Sequence, residues 1–262
     1  MKPMGSIATA RGRIGYFEMG SGGGTPIIFL HGVGSDKSVW RPQLEHFGTS
    51  RRAVAFDYPG YGESELVNGA TRDDFAASIL AAMSALGMGT AHVCGLSLGG
   101  VVAIAMHAAA SDRCASLIIA DSFAVHPDGQ NIHDRSVAAS HSMTMRALAE
   151  ARTGVLLGSA ATGELRAEII ETMAAIDPAA YRVGAEAVWL ADQRDRAAAI
   201  DVPTLILVGE EDRITPPALS EELLRLIPHA RLDRIAAAGH LANIEQPQSF
   251  NGAVESFLSG QR

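Results

Sequence analysis

The chain has 262 residues, is 47% hydrophobic and 19% charged, and sets 21 Lys+Arg against 29 Asp+Glu for a net charge of −8. This ordinary globular composition leaves room for one α/β domain with an insertion, or for two small domains. The acidic balance supplies no basic face for a phosphate backbone, no run approaches ~18 consecutive apolar residues, and MKPMGSIATARGR at the N-terminus lacks the apolar core of a secretion signal. The expectation is a cytoplasmic protein that binds neither nucleic acid nor membrane; nothing in the sequence fixes its oligomeric state.

SIATARGRIGYFEMG reads as two short strands joined near Arg11–Gly12. A rhythm of short apolar runs follows: TPIIFLHG (25–32), RAVAFDYPG (52–60), AHVCGLS (91–97), ASLIIADS (115–122) and PTLILVGEED (203–212). Runs of this length, bounded by turn residues, suit strands buried on both faces of a mostly parallel sheet. Helical patterns lie between them. DDFAASILAAMSALG (73–87) carries Phe75, Ile79, Leu80, Met83 and Leu86 on one face, while GGVVAIAMHAAA (99–110) is small and apolar nearly all round. PALSEELLRLIP (217–228) and PQSFNGAVESFL (247–258) are amphipathic. The alternation predicts a doubly wound α/β sheet.

From about Phe123 to Ala199 no strand is legible; VAASHSMTMRALAEAR, TGELRAEIIETMAAI and YRVGAEAVWLADQRDRAAAI read as helices. So long a stretch between two strands is too long for a loop and predicts an inserted helical lid over 123–199, with 1–122 and 200–262 forming the core. Cys94 and Cys114 fall in or beside buried strands, which argues against a disulfide framework or a metal site. His126, His133 and His141 lack ligand-like spacing, and no metal or organic cofactor is expected.

Ligands of an open parallel sheet bind beyond the carboxyl ends of its strands. There the sequence gathers His31-Gly32-Val33-Gly34, Asp57, Gly95-Leu96-Ser97-Leu98-Gly99, Asp121, Glu210-Glu211-Asp212 and, further on, Gly239-His240. A serine set between glycines where a strand turns into a helix takes a strained backbone that pushes Oγ outward, and its neighbours must be small. Because a serine hydroxyl is a weak nucleophile, it needs a base and an acid to orient that base. Ser97, Asp212 and His240 stand in the order serine, acid, histidine, each after a later strand.

HGVGSDKSVW, FDYPGYGES, CGLSLGG, GEEDRITPP and AAGHLANIEQP, in this order over essentially the whole chain, resemble the α/β-hydrolase superfamily, closest to its 3-oxoadipate enol-lactonase and small-carboxylesterase branch. The resemblance implies Ser97 as nucleophile, His240 as base and then acid, Asp212 as its partner, and an oxyanion hole from the N–H groups of Val33 and Leu98. Asp121 is the rival acid, since some members place the acid after that strand. The resemblance further implies that His31 braces the oxyanion loop and that Asp57 ties down its own loop.

A serine nucleophile excludes haloalkane hydrolysis, for which relatives use aspartate. It suits esters and lactones, or carbon–carbon cleavage of a ring-cleavage product; a small-molecule receptor of the same fold is a third reading. An enol-lactone carries a carboxylate, which makes Arg135, Arg146 and Arg152 candidate partners, and each is equally readable as a solvated helix face. Met143, Met145 and Trp189, with Arg146, are the expected pocket residues; Met173 is a further lid residue of the same apolar kind.

Overall fold

The structure, a computed structural model, describes residues 2–260. Its strands are apolar at consecutive positions because both faces are covered. In β3 (Ile27–Leu30), Ile28 and Leu30 pack into one cluster, whereas Ile27 and Phe29 pack into another on the opposite face. β4 (Ala53–Phe56), β5 (Ala91–Leu96), β6 (Cys114–Ala120) and β7 (Thr204–Gly209) divide in the same way. They are preceded by β1 (Lys2–Thr9) and β2 (Gly12–Met19), the expected hairpin, and followed by β8 (Arg231–Ile235).

The eight strands run in the order β1-β2-β4-β3-β5-β6-β7-β8. β1 and β2 are antiparallel to their neighbours, and every pair from β4 to β8 is parallel. This is the expected doubly wound, mostly parallel sheet, with helices on both faces. β8 carries one buried residue, Ile235, in RLDRI. An edge strand with so little apolar content leaves no apolar run in the sequence to mark it.

On one face lie α2 (Arg72–Ala85) and α3 (Leu98–Ala109), whose Phe75, Ile79, Val101 and Ile104 meet Val93 and Ile119 of the sheet. α2 opens with a capping box: Thr71 Oγ1 accepts the Asp74 N–H, and the Asp74 carboxylate accepts the Thr71 N–H. α9 (Pro217–Leu226) adds Leu219 and Leu223 to the same cluster. The other face holds α1 (Arg41–Phe47), the short α10 (Ala242–Glu245) and α11 (Pro247–Ser259). There Trp40 stacks on Phe29 at 5.0 Å between ring centroids, and buried Gln43 donates to Asn251 Oδ1 and to the Asn243 carbonyl, both at 2.9 Å. α1 went unread in the sequence because its seven residues fall inside a segment dominated by turn signals.

Between β6 and β7 the regular elements are all helices: α4 (Gly129–Ser142), α5 (Met145–Leu156), α6 (Gly163–Ala174), α7 (Pro178–Trp189) and α8 (Arg194–Ala198). Two of the expected helices are each broken in two. VAASHSMTMRALAEAR is interrupted at Met143, whose backbone is extended, and restarts where Thr144 Oγ1 accepts the Ala147 N–H. The last segment breaks at 190–193, where Asp192 bridges to Val125 and the buried Gln193 side chain donates to the Val101 carbonyl at 2.8 Å. Tertiary partners outweigh helix propensity at both breaks. Among the described residues, no helix is long and apolar enough to cross a membrane.

Candidate active site

Parallel registry brings the chemistry to one edge. Leu30 pairs with Phe56 and Gly95, Leu96 with Ala120, and Ala120 with Leu207, so the residues after these strands emerge side by side. His31, Asp57, Ser97 and Asp121 are those residues, and all are buried.

Ser97 sits at φ 55°, ψ −113° between β5 and α3. That left-handed conformation is strained for a side chain with a Cβ and turns Oγ away from both elements. The surroundings hold it there. The Ser122 hydroxyl donates to the Ser97 carbonyl at 2.7 Å, and the Ser97 N–H donates to the Ala120 carbonyl at 2.9 Å. A Cβ at Gly95 would collide with the Gly99 carbonyl, and one at Gly99 with the Leu30 carbonyl. The glycines of GLSLG exist for this close approach. α3 begins at Leu98 rather than at Gly99, the start expected from the sequence, so Leu98 is its first residue.

His240 lies on the turn before α10, 4% exposed, and its Nδ1–H donates to Asp212 Oδ2 at 2.9 Å. Asp212 is 4% exposed and heavily bonded. Oδ1 accepts the N–H groups of Ile214 (2.8 Å) and Thr215 (3.0 Å), while Oδ2 also accepts the Thr215 hydroxyl at 2.6 Å. Burial pushes this carboxyl upward, but the facing His240 and the donors of Thr215 outweigh it and hold it below the usual carboxylate range. Asp121 makes a different set of contacts. Its Oδ1 accepts the Gly209 N–H at 2.7 Å, and no hydrogen bond joins it to His240. Burial, then the Asp212 charge, drives Asp121 well above its ordinary value and favours its neutral acid. The imidazole is therefore served by Asp212. Thr215 escaped the sequence reading, although Asp-x-x-Thr after a strand is a recognisable side-chain-capped turn.

Ser97 and His240 line one crevice of about 30 Å³, together with Gly32, Val33, Arg152 and Trp189. No hydrogen bond joins them across it, a looseness common where a nucleophile and base tighten only around substrate. Neither the Val33 N–H nor the Leu98 N–H has an acceptor among the described residues. Leu98 opens α3, so its N–H is one of the four donors a helix leaves unpaired. The Val33 carbonyl is fixed by the Tyr61 hydroxyl at 3.2 Å, and His31 Nδ1–H donates to the Gly32 carbonyl at 2.8 Å. Burial lowers His31 to about 4, so its imidazole is neutral at neutral pH.

Beneath this loop lies an ion cluster that the sequence did not disclose. Lys37, 3% exposed, sends Nζ to Asp57 Oδ2 at 2.5 Å and also to the Glu63 carboxylate, and its N–H donates to Asp57 Oδ1 at 2.9 Å. A lysine in a turn segment reads as solvated, and only the fold reveals it as buried.

Trp189 lines both the crevice and an outer cavity of about 470 Å³, walled by Ile132, Arg135, Leu148, Arg152 and Arg213. Its indole Nε1 is buried without an acceptor among the described residues. Arg152 also lines both spaces. Its Nη1 donates to the Tyr181 hydroxyl at 3.1 Å, and no carboxylate among the described residues pairs with it. Arg135 reaches the outer cavity while paired with Asp128 at 3.1 Å. Three of the residues expected at the pocket line neither space. Arg146 stands on the exposed side of α5 in a two-pronged pair with Glu171 (2.8 and 2.6 Å). Met143 is 41% exposed at the α4–α5 break, and Met145 is buried in the apolar cluster without lining the crevice or the outer cavity.

A family model for the alpha/beta hydrolase family matches residues 27–253, and the chain belongs to that family. It is 29% identical over 234 residues to 3-oxoadipate enol-lactonase 1 of Acinetobacter baylyi, with 88% of each chain covered. Among solved structures it resembles the enol-lactonase of Burkholderia xenovorans LB400 (TM-score 0.90, 27% identity, 97% and 100% of the two chains). It also resembles a thermophilic esterase of Thermogutta terrifontis with malate bound (TM-score 0.91, 28% identity, 99% of each).

Proposed function

We propose that this protein hydrolyses a small carboxylic ester or lactone through Ser97, His240 and Asp212, with an acyl-enzyme intermediate. Ser97 Oγ attacks the carbonyl carbon as His240 Nε2 takes its proton. The tetrahedral oxyanion is received by the N–H groups of Val33 and Leu98, each such donor being worth about 3 kcal/mol of barrier. Collapse breaks the C–O bond, and His240 returns the proton to the departing alkoxide. Water, deprotonated by His240, then releases the acid and restores Ser97. Asp212 keeps Nδ1 protonated and stabilises the imidazolium without taking the proton.

The observation that carries this reading is the held imidazole: Nδ1 fixed on a saturated carboxylate, with Nε2 left for the serine that lines the same crevice, beside Val33, whose N–H has no acceptor among the described residues. Arg152, charged and without a carboxylate partner at the crevice wall, favours a substrate bearing an anionic group beyond its ester. That preference agrees with the enol-lactonases among the similar proteins.

The test is hydrolysis of p-nitrophenyl esters from acetate to octanoate, beside an enol-lactone bearing a carboxylate, by the wild type and by Ser97→Ala. The expected result is turnover of one class and its loss by several orders of magnitude in the variant. Full activity in Ser97→Ala would overturn the assignment.

A further inference from the structure

The crevice beside Ser97 is narrow, about 30 Å³. An ester carbonyl seated there must send its acyl and alcohol arms out through the walls. One wall, Arg152 and Trp189, opens on the arginine-lined cavity already described. A second wall is formed by Ser35, from the oxyanion loop, and Ile169, from α6 above it. Behind that wall lies a separate cavity of about 260 Å³, which shares no lining residue with the arginine-lined one. Its floor is apolar, with Val39, Leu165 and Ile244, and its rim carries Glu45, Glu168 and Arg41. Ile169 is 5% exposed and packs in the apolar cluster with Leu156, Leu157 and Leu241, so it plugs this route as part of the core. α6 is also seated on the loop itself: a side chain on Gly34 would press on Met173 Sδ at 3.3 Å.

We propose that Ile169 is a specificity-determining residue: it walls the crevice off from this apolar cavity, which its removal turns into a second substrate subsite, and so sets the length of neutral aliphatic arm that the site accepts. The proposal rests on Ser97 as the nucleophile. The two cavities differ in charge: the arginine-lined space attracts an anionic arm, whereas the rim of the second sets two carboxylates, Glu45 and Glu168, against the single Arg41 and disfavours one. A substrate with one anionic and one neutral arm is thereby oriented across Ser97. In the wild type the closed Ile169–Ser35 wall admits only short neutral arms. Trimming Ile169 joins the crevice to an apolar floor that rewards each further methylene.

The experiment measures kcat/KM for p-nitrophenyl esters from acetate to octanoate with wild type, Ile169→Val and Ile169→Ala. Relative to acetate in the same protein, Ile169→Ala should gain about threefold for each methylene beyond butanoate until the cavity is filled, with Ile169→Val between. Adding Thr172→Phe, which occupies the cavity from its rim without touching the crevice, should cancel the gain. A terminal carboxylate on the long acyl chain should do the same. Parallel length profiles in all three proteins would overturn the subsite, as would a gain that Thr172→Phe leaves intact. Absence of any ester hydrolysis by wild type would instead remove the nucleophile assignment, and the subsite with it.

Discussion

Thr215 and His240 meet on a single oxygen of Asp212. The Thr215 hydroxyl donates to Oδ2 at 2.6 Å, the same atom that takes the His240 Nδ1–H at 2.9 Å, and Thr215 Oγ1 lies 3.2 Å from that Nδ1. The threonine thus keeps Asp212 ionised and fixes the side from which the imidazole approaches. Thr215→Val keeps the shape and the backbone donor but removes the hydroxyl. Expected are a fall in kcat of about tenfold with KM unchanged, and a loss of about 1–2 kcal/mol in urea unfolding. Thr215→Ser should restore both. A Val variant with wild-type kcat would show that the hydroxyl serves the fold alone.

Glu245 acts on the same histidine from the other side. Its Oε1 accepts the N–H groups of Gly239 (3.0 Å) and Leu241 (3.1 Å), which flank His240, and its Oε2 accepts the Gly158 N–H at 2.7 Å. The His240 N–H in turn donates to the Leu156 carbonyl at 2.8 Å. One carboxylate therefore ties the histidine turn to the α5–α6 turn. Glu245→Gln keeps the size but cannot accept at both ends, since its amide nitrogen would face a donor. The expected outcome is a drop in kcat of about tenfold with little change in KM, and protease cleavage at 156–163 that is faster than in wild type. Unchanged cleavage and kcat would leave Glu245 without a positioning role.

These two residues mark what the sequence could and could not convey. Ser97 and Asp212 could be picked out because each follows a readable strand, and His240 because AAGH follows them in the serine–acid–histidine order that the chemistry needs. The β5–Ser97–α3 corner announces itself in glycines. The sheet was legible because consecutive apolar residues follow from burial on both faces. Ile169, Glu245 and Lys37 were not, because each owes its role to contacts over long sequence separations: Glu245 on Gly158, Ile169 against Ser35, Lys37 on Asp57. Local pattern carries no record of such pairings.

The buried Lys37–Asp57 pair supplies a stability prediction with a pH signature. Asp57 is fully buried, and desolvation, only partly opposed by Lys37, pushes its carboxyl up to about 6. Lys37→Met leaves this carboxylate without its cation, a loss on the order of 3–5 kcal/mol when the acid is ionised. Without Lys37 the carboxyl is pushed higher still, and as the pH falls and it takes up a proton the penalty shrinks. Urea unfolding of the variant should therefore show a larger deficit at pH 8 than at pH 5, and Lys37→Met/Asp57→Asn should recover part of it at pH 8. An equal deficit at both values would mean that packing of the lysine stem dominates.

Two buried histidines give the last prediction. Burial lowers His31 to about 4; burial, assisted by the Arg51 charge, does the same to His92, whose Nδ1 lies 2.8 Å from the Ser116 hydroxyl. With the folded values below the unfolded value near 6.5, the unfolded chain binds more protons between pH 6.5 and 4. Each histidine thus withdraws stability as the pH falls through that window, on the order of 2–3 kcal/mol, and nothing further below it. Asp57 has the opposite sign over part of the same range, because its folded value lies above its unfolded one, so the total curve mixes the two. His92→Gln isolates one histidine: the difference between its stability and that of wild type should grow in favour of the variant as the pH drops from 6.5 to 4, then level off. Urea midpoints at half-unit pH steps measure this directly, and parallel curves for the two proteins would place His92 in contact with solvent in the native state.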